Sequence, residues 1–190
     1  MIKSIVLAAA LTLSFTAHAG NSLVESIFAS QKVQIQQSVV AQGLNWKVGD
    51  ENNYKMNMGF IPGTMKMSVR EMGVDGAWLI QEVSIIGQKQ VIEVLIDLNT
   101  GAIKKMIANG KEQAIPKSDL EIIDQKEDNI TVPAGTFDVI YIKVKDKANA
   151  DSISEQWVNP RDVPISGMVK STADSQLGKV TLELTSFKRQ

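Results

Sequence analysis

The chain has 190 residues, a formal charge of −1, no cysteine and one histidine. A charge so near neutrality excludes a global basic field drawing in nucleic acid or anionic membrane. The missing thiols exclude a disulfide framework, so stability has to come from a packed core.

The first nineteen residues read as a secretory signal peptide. Met1-Ile2-Lys3 is a short basic start, Ile5 to Phe15 is almost wholly apolar, and Ala17-His18-Ala19 is a small-x-small cleavage site. The apolar run is too short to span a bilayer, and no stop-transfer pattern follows it. Cleavage after Ala19 would carry away His18 and Lys3, so the remaining chain would work without imidazole or thiol, one charge more negative. Residues 20–190 are expected to form a single β-rich domain. With no cysteine to carry a lipid anchor, the expectation is a soluble periplasmic protein that does not span the membrane.

Ser22-Leu23-Val24-Glu25 fits a capping box, in which the Ser hydroxyl and a Glu three residues later satisfy exposed amides. Apolar residues recur at Leu23, Ile27, Ile35 and Val39, and Gly43 suits a helix stop. One N-terminal helix is therefore expected. From Asn45 onward the period changes to two. Tyr54, Met56 and Met58 alternate with Lys55 and Asn57, and Met65, Met67 and Val69 alternate with Lys66, Ser68 and Arg70. Gly59-Phe60-Ile61-Pro62-Gly63 joins these runs as a hairpin turn.

Asp75-Gly76 precedes a strand from Ala77 to Ile86, which Gly87 ends. Asn99-Thr100-Gly101 joins the strand from Gln90 to Leu98 to the next, Ala102 to Ala108, and Asn109-Gly110 is a strong hairpin signal because both residues tolerate positive φ. Val132-Pro133-Ala134-Gly135 fits a type I turn. Strands are then expected from Phe137 to Lys145, Ser152 to Val158, Val163 to Ser171 and Lys179 to Phe187. The class is mainly β (α+β): a curved antiparallel sheet of about ten strands forming a half-barrel or barrel. Runs such as Val91–Leu98 and Phe137–Val144 are apolar on both faces, so the sheet must curl round an interior or be covered by the helix.

Catalysis has little to work with. A Ser-His-Asp arrangement is impossible without histidine in the exported chain, and no Gly-rich loop runs from a strand into a helix to cradle phosphate. Asp119 with Glu121, and Asp124 with Glu127 and Asp128, are carboxylates close in sequence, read here as solvated loops or polar strand faces. No enzyme activity, cofactor or metal is expected. The unusual constellation is methionine: Met56, Met58, Met65 and Met67 lie on two arms of one hairpin. They line a core or an adaptable hydrophobic pocket; alternatively, four converging thioethers would suit Cu(I). Trp78 and Trp157 join them as pocket candidates, since an indole commonly closes the mouth of a cavity.

Three segments together resemble a known group. Trp46-Lys47-Val48-Gly49-Asp50 followed by Tyr54-Lys55-Met56, then Thr131-Val132-Pro133-Ala134-Gly135-Thr136-Phe137-Asp138, then Glu155-Gln156-Trp157-Val158-Asn159-Pro160 with Val163-Pro164-Ile165-Ser166-Gly167 and Thr181-Leu182-Glu183-Leu184 resemble exported bacterial β proteins whose fold is similar to the lipoprotein carriers LolA and LolB. The resemblance implies a curved half-barrel with a helix-covered apolar cavity. Two functional expectations follow: binding of a lipid, acyl chain or lipoprotein-like partner in the concave face, or an envelope interaction or assembly protein with a filled interior that acts through its surface.

Overall fold

The computed structural model describes residues 45–115, 120–147, 152–175 and 178–190, with short pieces at 11–12 and 32–33. The expected signal peptide and N-terminal helix fall almost wholly outside them. Leu11–Thr12 (β1) and Lys32–Val33 (β2) pair with each other. The remaining strands are β3 (Glu51–Met58), β4 (Ile61–Gly73), β5 (Gly76–Ile85), β6 (Gln88–Ile96), β7 (Ile103–Ala108), β8 (Lys111–Gln113), β9 (Leu120–Val132), β10 (Gly135–Asp146), β11 (Ser152–Val158), β12 (Met168–Ser175) and β13 (Gly178–Lys188). They make one antiparallel sheet of eleven strands in the order β8-β7-β6-β5-β4-β3-β13-β12-β11-β10-β9. The sheet is curved and unclosed. Of the two expected closures, the barrel is not formed: β8 and β9 end the sheet and do not pair with each other.

Turn chemistry sets most strand limits. Asn109 and Gly110 both take positive φ, 49° and 79°, as a two-residue hairpin needs. Three expectations are corrected. The first hairpin turns at Gly59 and Phe60 alone, and Pro62 and Gly63 already belong to β4, paired with Asn57 and Met56. The strand expected from Val163 begins instead at Met168, because Val163 and Ile165 are apolar for burial in the interior and not for pairing. The carboxylate-rich stretch from Leu120 is one thirteen-residue strand, β9.

Contacts across the sheet gather beside β13. The connection Asn159–Gly167 leaves the sheet between β11 and β12. There the β9–β10 turn reaches back over two intervening strands, and the Ala134 amide donates to the Leu184 carbonyl at 3.1 Å. The Phe137 and Phe187 rings meet with centroids 6.2 Å apart. The main core runs from Trp46 and Tyr54 through Met65, Leu79, Ile92 and Met106, and includes Val163, Ile165 and Met168. A smaller cluster joins Ile142, Val144 and Val158.

Candidate functional site

Strand alternation puts Tyr54, Met56 and Met58 on one face of β3, Met65, Met67 and Val69 on the same face of β4, then Leu79 and Val83 on β5, Ile92 and Val94 on β6, and Met106 on β7. All are buried. The register continues across the sheet: Val69 pairs with Leu79 and Leu79 with Val94, while Met67 pairs with Gln81 and Gln81 with Ile92. This is a continuous dry surface five strands wide.

The four hairpin methionines share this surface but do not converge. Met56 faces Gly63 and Met58 faces Ile61, while the partners of Met65 and Met67 are Tyr54 and Asn52. From the Met58 position to Met67 is six steps of strand, about 20 Å at 3.3 Å per residue, far beyond what one ion bridges. Gly63 leaves room that the Met56 methyl fills, since a Cβ there would lie 3.0 Å from Met56 Cε. Among the described residues no group of three His, Cys, Asp or Glu side chains could hold a metal ion.

The Asn159–Gly167 connection lies against one end of this surface. Trp46 Nε1 donates to the Ile165 carbonyl at 3.0 Å, Asn52 Nδ2 to the Pro164 carbonyl at 2.9 Å, and Tyr54 Oη to the Met168 carbonyl at 3.1 Å. Burial pushes the Tyr54 hydroxyl well above its ordinary pKa, so it remains a proton donor at any physiological pH. Ile165 at φ 57° and Gly167 at φ 70° fold the loop tightly, and a Cβ at Gly167 would stand 2.7 Å from Pro160 backbone atoms.

Three buried amides interrupt the apolar surface. Asn52 and Gln81 are fully buried and Gln90 is 3% exposed. Gln81 Nε2 donates to Met65 Sδ at 2.7 Å. The oxygens Asn52 Oδ1, Gln81 Oε1 and Gln90 Oε1 have no hydrogen-bond partner among the described residues. The sequence does carry a signal for these residues. Each is a polar side chain standing in the apolar phase of its strand.

Neither tryptophan candidate joins the methionines. Trp78 belongs to the opposite phase of β5 from Leu79 and is half-buried, with the Arg70 guanidinium 5.1 Å from its ring and Arg70 in turn paired with Glu93. Trp157 sits in a transverse row of cross-strand partners that the sequence did not disclose: Lys126, Tyr141, Trp157, Lys170, Glu183 and Lys55. The Tyr141 and Trp157 rings are 5.2 Å apart, and Lys126 and Lys170 lie over them at 5.1 and 5.5 Å. Trp157 Nε1 donates to Asp128 at 3.1 Å.

Two carboxylates tie this row together. Glu183 contacts Lys55 at 2.7 Å and Lys170 at 3.1 Å. The Lys55 hydrogen bond holds its pKa below the ordinary value against the opposing effect of burial. Glu155 accepts from Tyr141 Oη at 3.0 Å and Thr172 Oγ1 at 3.1 Å, with Lys143 and Lys179 at 3.9 and 3.8 Å. Burial works to raise its pKa, but these donors hold it below the usual range. Burial and the bond to Glu155 push the Tyr141 hydroxyl up to about 12. Carboxylates kept anionic and already surrounded by donors are poor general acids at neutral pH. Of the paper carboxylate pairs, Asp119 lies outside the described residues, Glu121 pairs with Lys147 at 3.1 Å, and Asp128 is taken by Trp157.

Two solved structures are similar to this chain. A protein described as exported, with a YmcC-like fold, from Bacteroides fragilis NCTC 9343 is 10% identical, with 77% of this chain and 99% of that one covered and a TM-score of 0.41. MucB is 11% identical, with 74% of this chain and 53% of MucB covered and a TM-score of 0.39, so the chain spans about half the length of MucB. No family model matches the sequence, and no curated protein matches it.

Proposed function

We propose that this chain is an exported, non-catalytic protein of the bacterial envelope that binds a hydrophobic ligand, a lipid or acyl chain, on the methionine-lined face of its curved sheet. The observation that carries the reading is the dry surface running from Met56 through Met65, Met67 and Leu79 to Met106. Unbranched thioether side chains adapt to apolar partners of variable shape, which suits a surface that takes up a flexible chain. Export rests on the signal-like residues 1–19 and the motif resemblance to lipoprotein carriers. Binding in place of reaction rests on the lack of imidazole and thiol after Ala19 and on the neutralised carboxylates Glu155 and Glu183.

The test is native mass spectrometry of protein purified from a periplasm, followed by displacement of a fluorescent acyl probe. A co-purifying lipid mass, and probe binding weakened in Met65→Ser, are the expected results. Protein that is always empty and ignores acyl probes removes the reading. One observation favours the second reading, an envelope assembly protein with a filled interior: the Asn159–Gly167 connection is locked onto the concave end by Trp46 and Asn52, with Tyr54 holding the adjoining Met168. Under that reading a protein partner co-purifies and no lipid does.

A further inference from the structure

The three amide oxygens without partners among the described residues bracket Met65 and Met67. Asn52 and Gln81 stand on either side of Met67 in one cross-strand row, and Gln90 lies two residues from Ile92, the partner of Gln81, on the same face. Two strand spacings separate Asn52 from Gln81, about 10 Å. Gln90 is a diagonal neighbour of Gln81, about 7–8 Å away. A buried acceptor left unsatisfied costs about 1–3 kcal/mol, and replacing it by an apolar side chain of similar shape is close to neutral. Placing three such acceptors on one dry face, where Leu or Met fits the pattern equally well, is costly for a face that only packs. The cost is recovered when something bearing donors, and lacking negative charge, arrives.

We propose that Asn52, Gln81 and Gln90 form the recognition site for the polar end of the ligand, and that this end is an uncharged hydroxyl-bearing head, not a carboxylate. The inference rests on the hydrophobic-ligand reading above and deepens it. Amide oxygens accept hydrogen bonds from hydroxyls. A carboxylate brought against them finds oxygen facing oxygen and gains a donor only if an amide turns over, which for Asn52 and Gln81 breaks the bonds to the Pro164 carbonyl and Met65 Sδ. Gln81 and Gln90 are near enough for one head with more than one hydroxyl, whereas Asn52 lies about 10 Å from Gln81 and about 16 Å from Gln90 and is reached only by a longer head. The apolar chain then lies along the row of Met56 and Met58 on one side or Leu79 and Val94 on the other.

The test pairs two probes with the same twelve-carbon chain, 1-monolauroylglycerol and dodecanoate, at pH 7.5, by competitive displacement from the full chain. The hydroxyl-headed probe is expected to bind at least about tenfold more tightly, the equivalent of one additional hydrogen bond of about 1.4 kcal/mol. In Gln81→Leu and Gln90→Leu, which remove acceptors without opening a cavity, that ratio is expected to fall to about threefold or less while the thermal midpoint is retained or raised. Dodecanoate binding as tightly as the glyceride, or a ratio unchanged in both variants, overturns the proposal and leaves hydrophobic binding standing. Failure of both probes to bind overturns the hydrophobic-ligand reading, and this inference with it.

Discussion

Along Val69, Leu79, Val94 and Met106 the side chains are shut from water and cross-strand neighbours are apolar throughout, with Gln81 standing in the next row between Met67 and Ile92. Between Lys126 and Lys55, on the β9–β13 side, each neighbour in the row is held by a ring stack, a cation over a ring or an ion pair. Both regions are antiparallel ladders with the same backbone bonding, so they differ only in what the side chains exchange. The dry region gains from excluded water and responds to volume; the charged row gains from complementary partners and responds to protonation and salt.

Three measurements sharpen that contrast, in descending size. Met67→Ala deletes a fully buried side chain beside Gln81 and Val69 and should cost about 2–5 kcal/mol in urea unfolding, with little dependence on pH. A loss below about 1 kcal/mol would show that the dry face is not close-packed. Tyr141→Phe keeps the ring on Trp157 but removes the donor to Glu155, and should cost about 0.5–1.5 kcal/mol. A loss as large as that of Met67→Ala would erase the distinction between the regions.

The smallest effect is in acid. Glu155 and Glu183 have folded pKa values below the ordinary 4.5. Their contribution is therefore fully present above pH 4.5 and lost as pH falls below it through the folded values. The pairs are partly exposed, so each contributes below about 1 kcal/mol. Glu155→Gln with Glu183→Gln should flatten the acid side of the stability profile and weaken its salt dependence. An unchanged acid limb between the double variant and the parent would assign acid sensitivity to other groups.

Legibility in the sequence divides along the same line. The dry strands announce themselves by alternation, as in Ala77 to Ile86, and the tight turns by residues that tolerate positive φ, Asn109-Gly110 above all. β9 was hidden because an edge strand mostly exposed on both faces needs no apolar phase. Asp124, Gln125, Lys126, Glu127 and Asp128 read as loop by composition and are strand by pairing with β10. Val163-Pro164-Ile165 misled in the opposite direction, since a buried loop has the composition of a strand. Register was the larger gap. The tight turn at Gly59-Phe60 sets which residue of β3 faces which of β4 and so strings the methionines out, while the β11–β12 register, shifted by a bulge beside Trp157, brings Trp157 to Lys170. Periodicity identifies the face a residue belongs to, but its partner is fixed by turn length and bulges.

An unclosed sheet has two rims, and these are finished differently. On one side β8 is only three residues long and bears Lys111 and Glu112. On the other, β9 is thirteen residues long, a ready template for another chain, but its register slips opposite Lys143/Val144 and it carries five charges between Glu121 and Asp128. A stranger's backbone laid against that rim meets a kink and a row of ionised groups before it can form a run of hydrogen bonds. By these means a protein that exposes its sheet ends in a crowded compartment resists growing into a fibre.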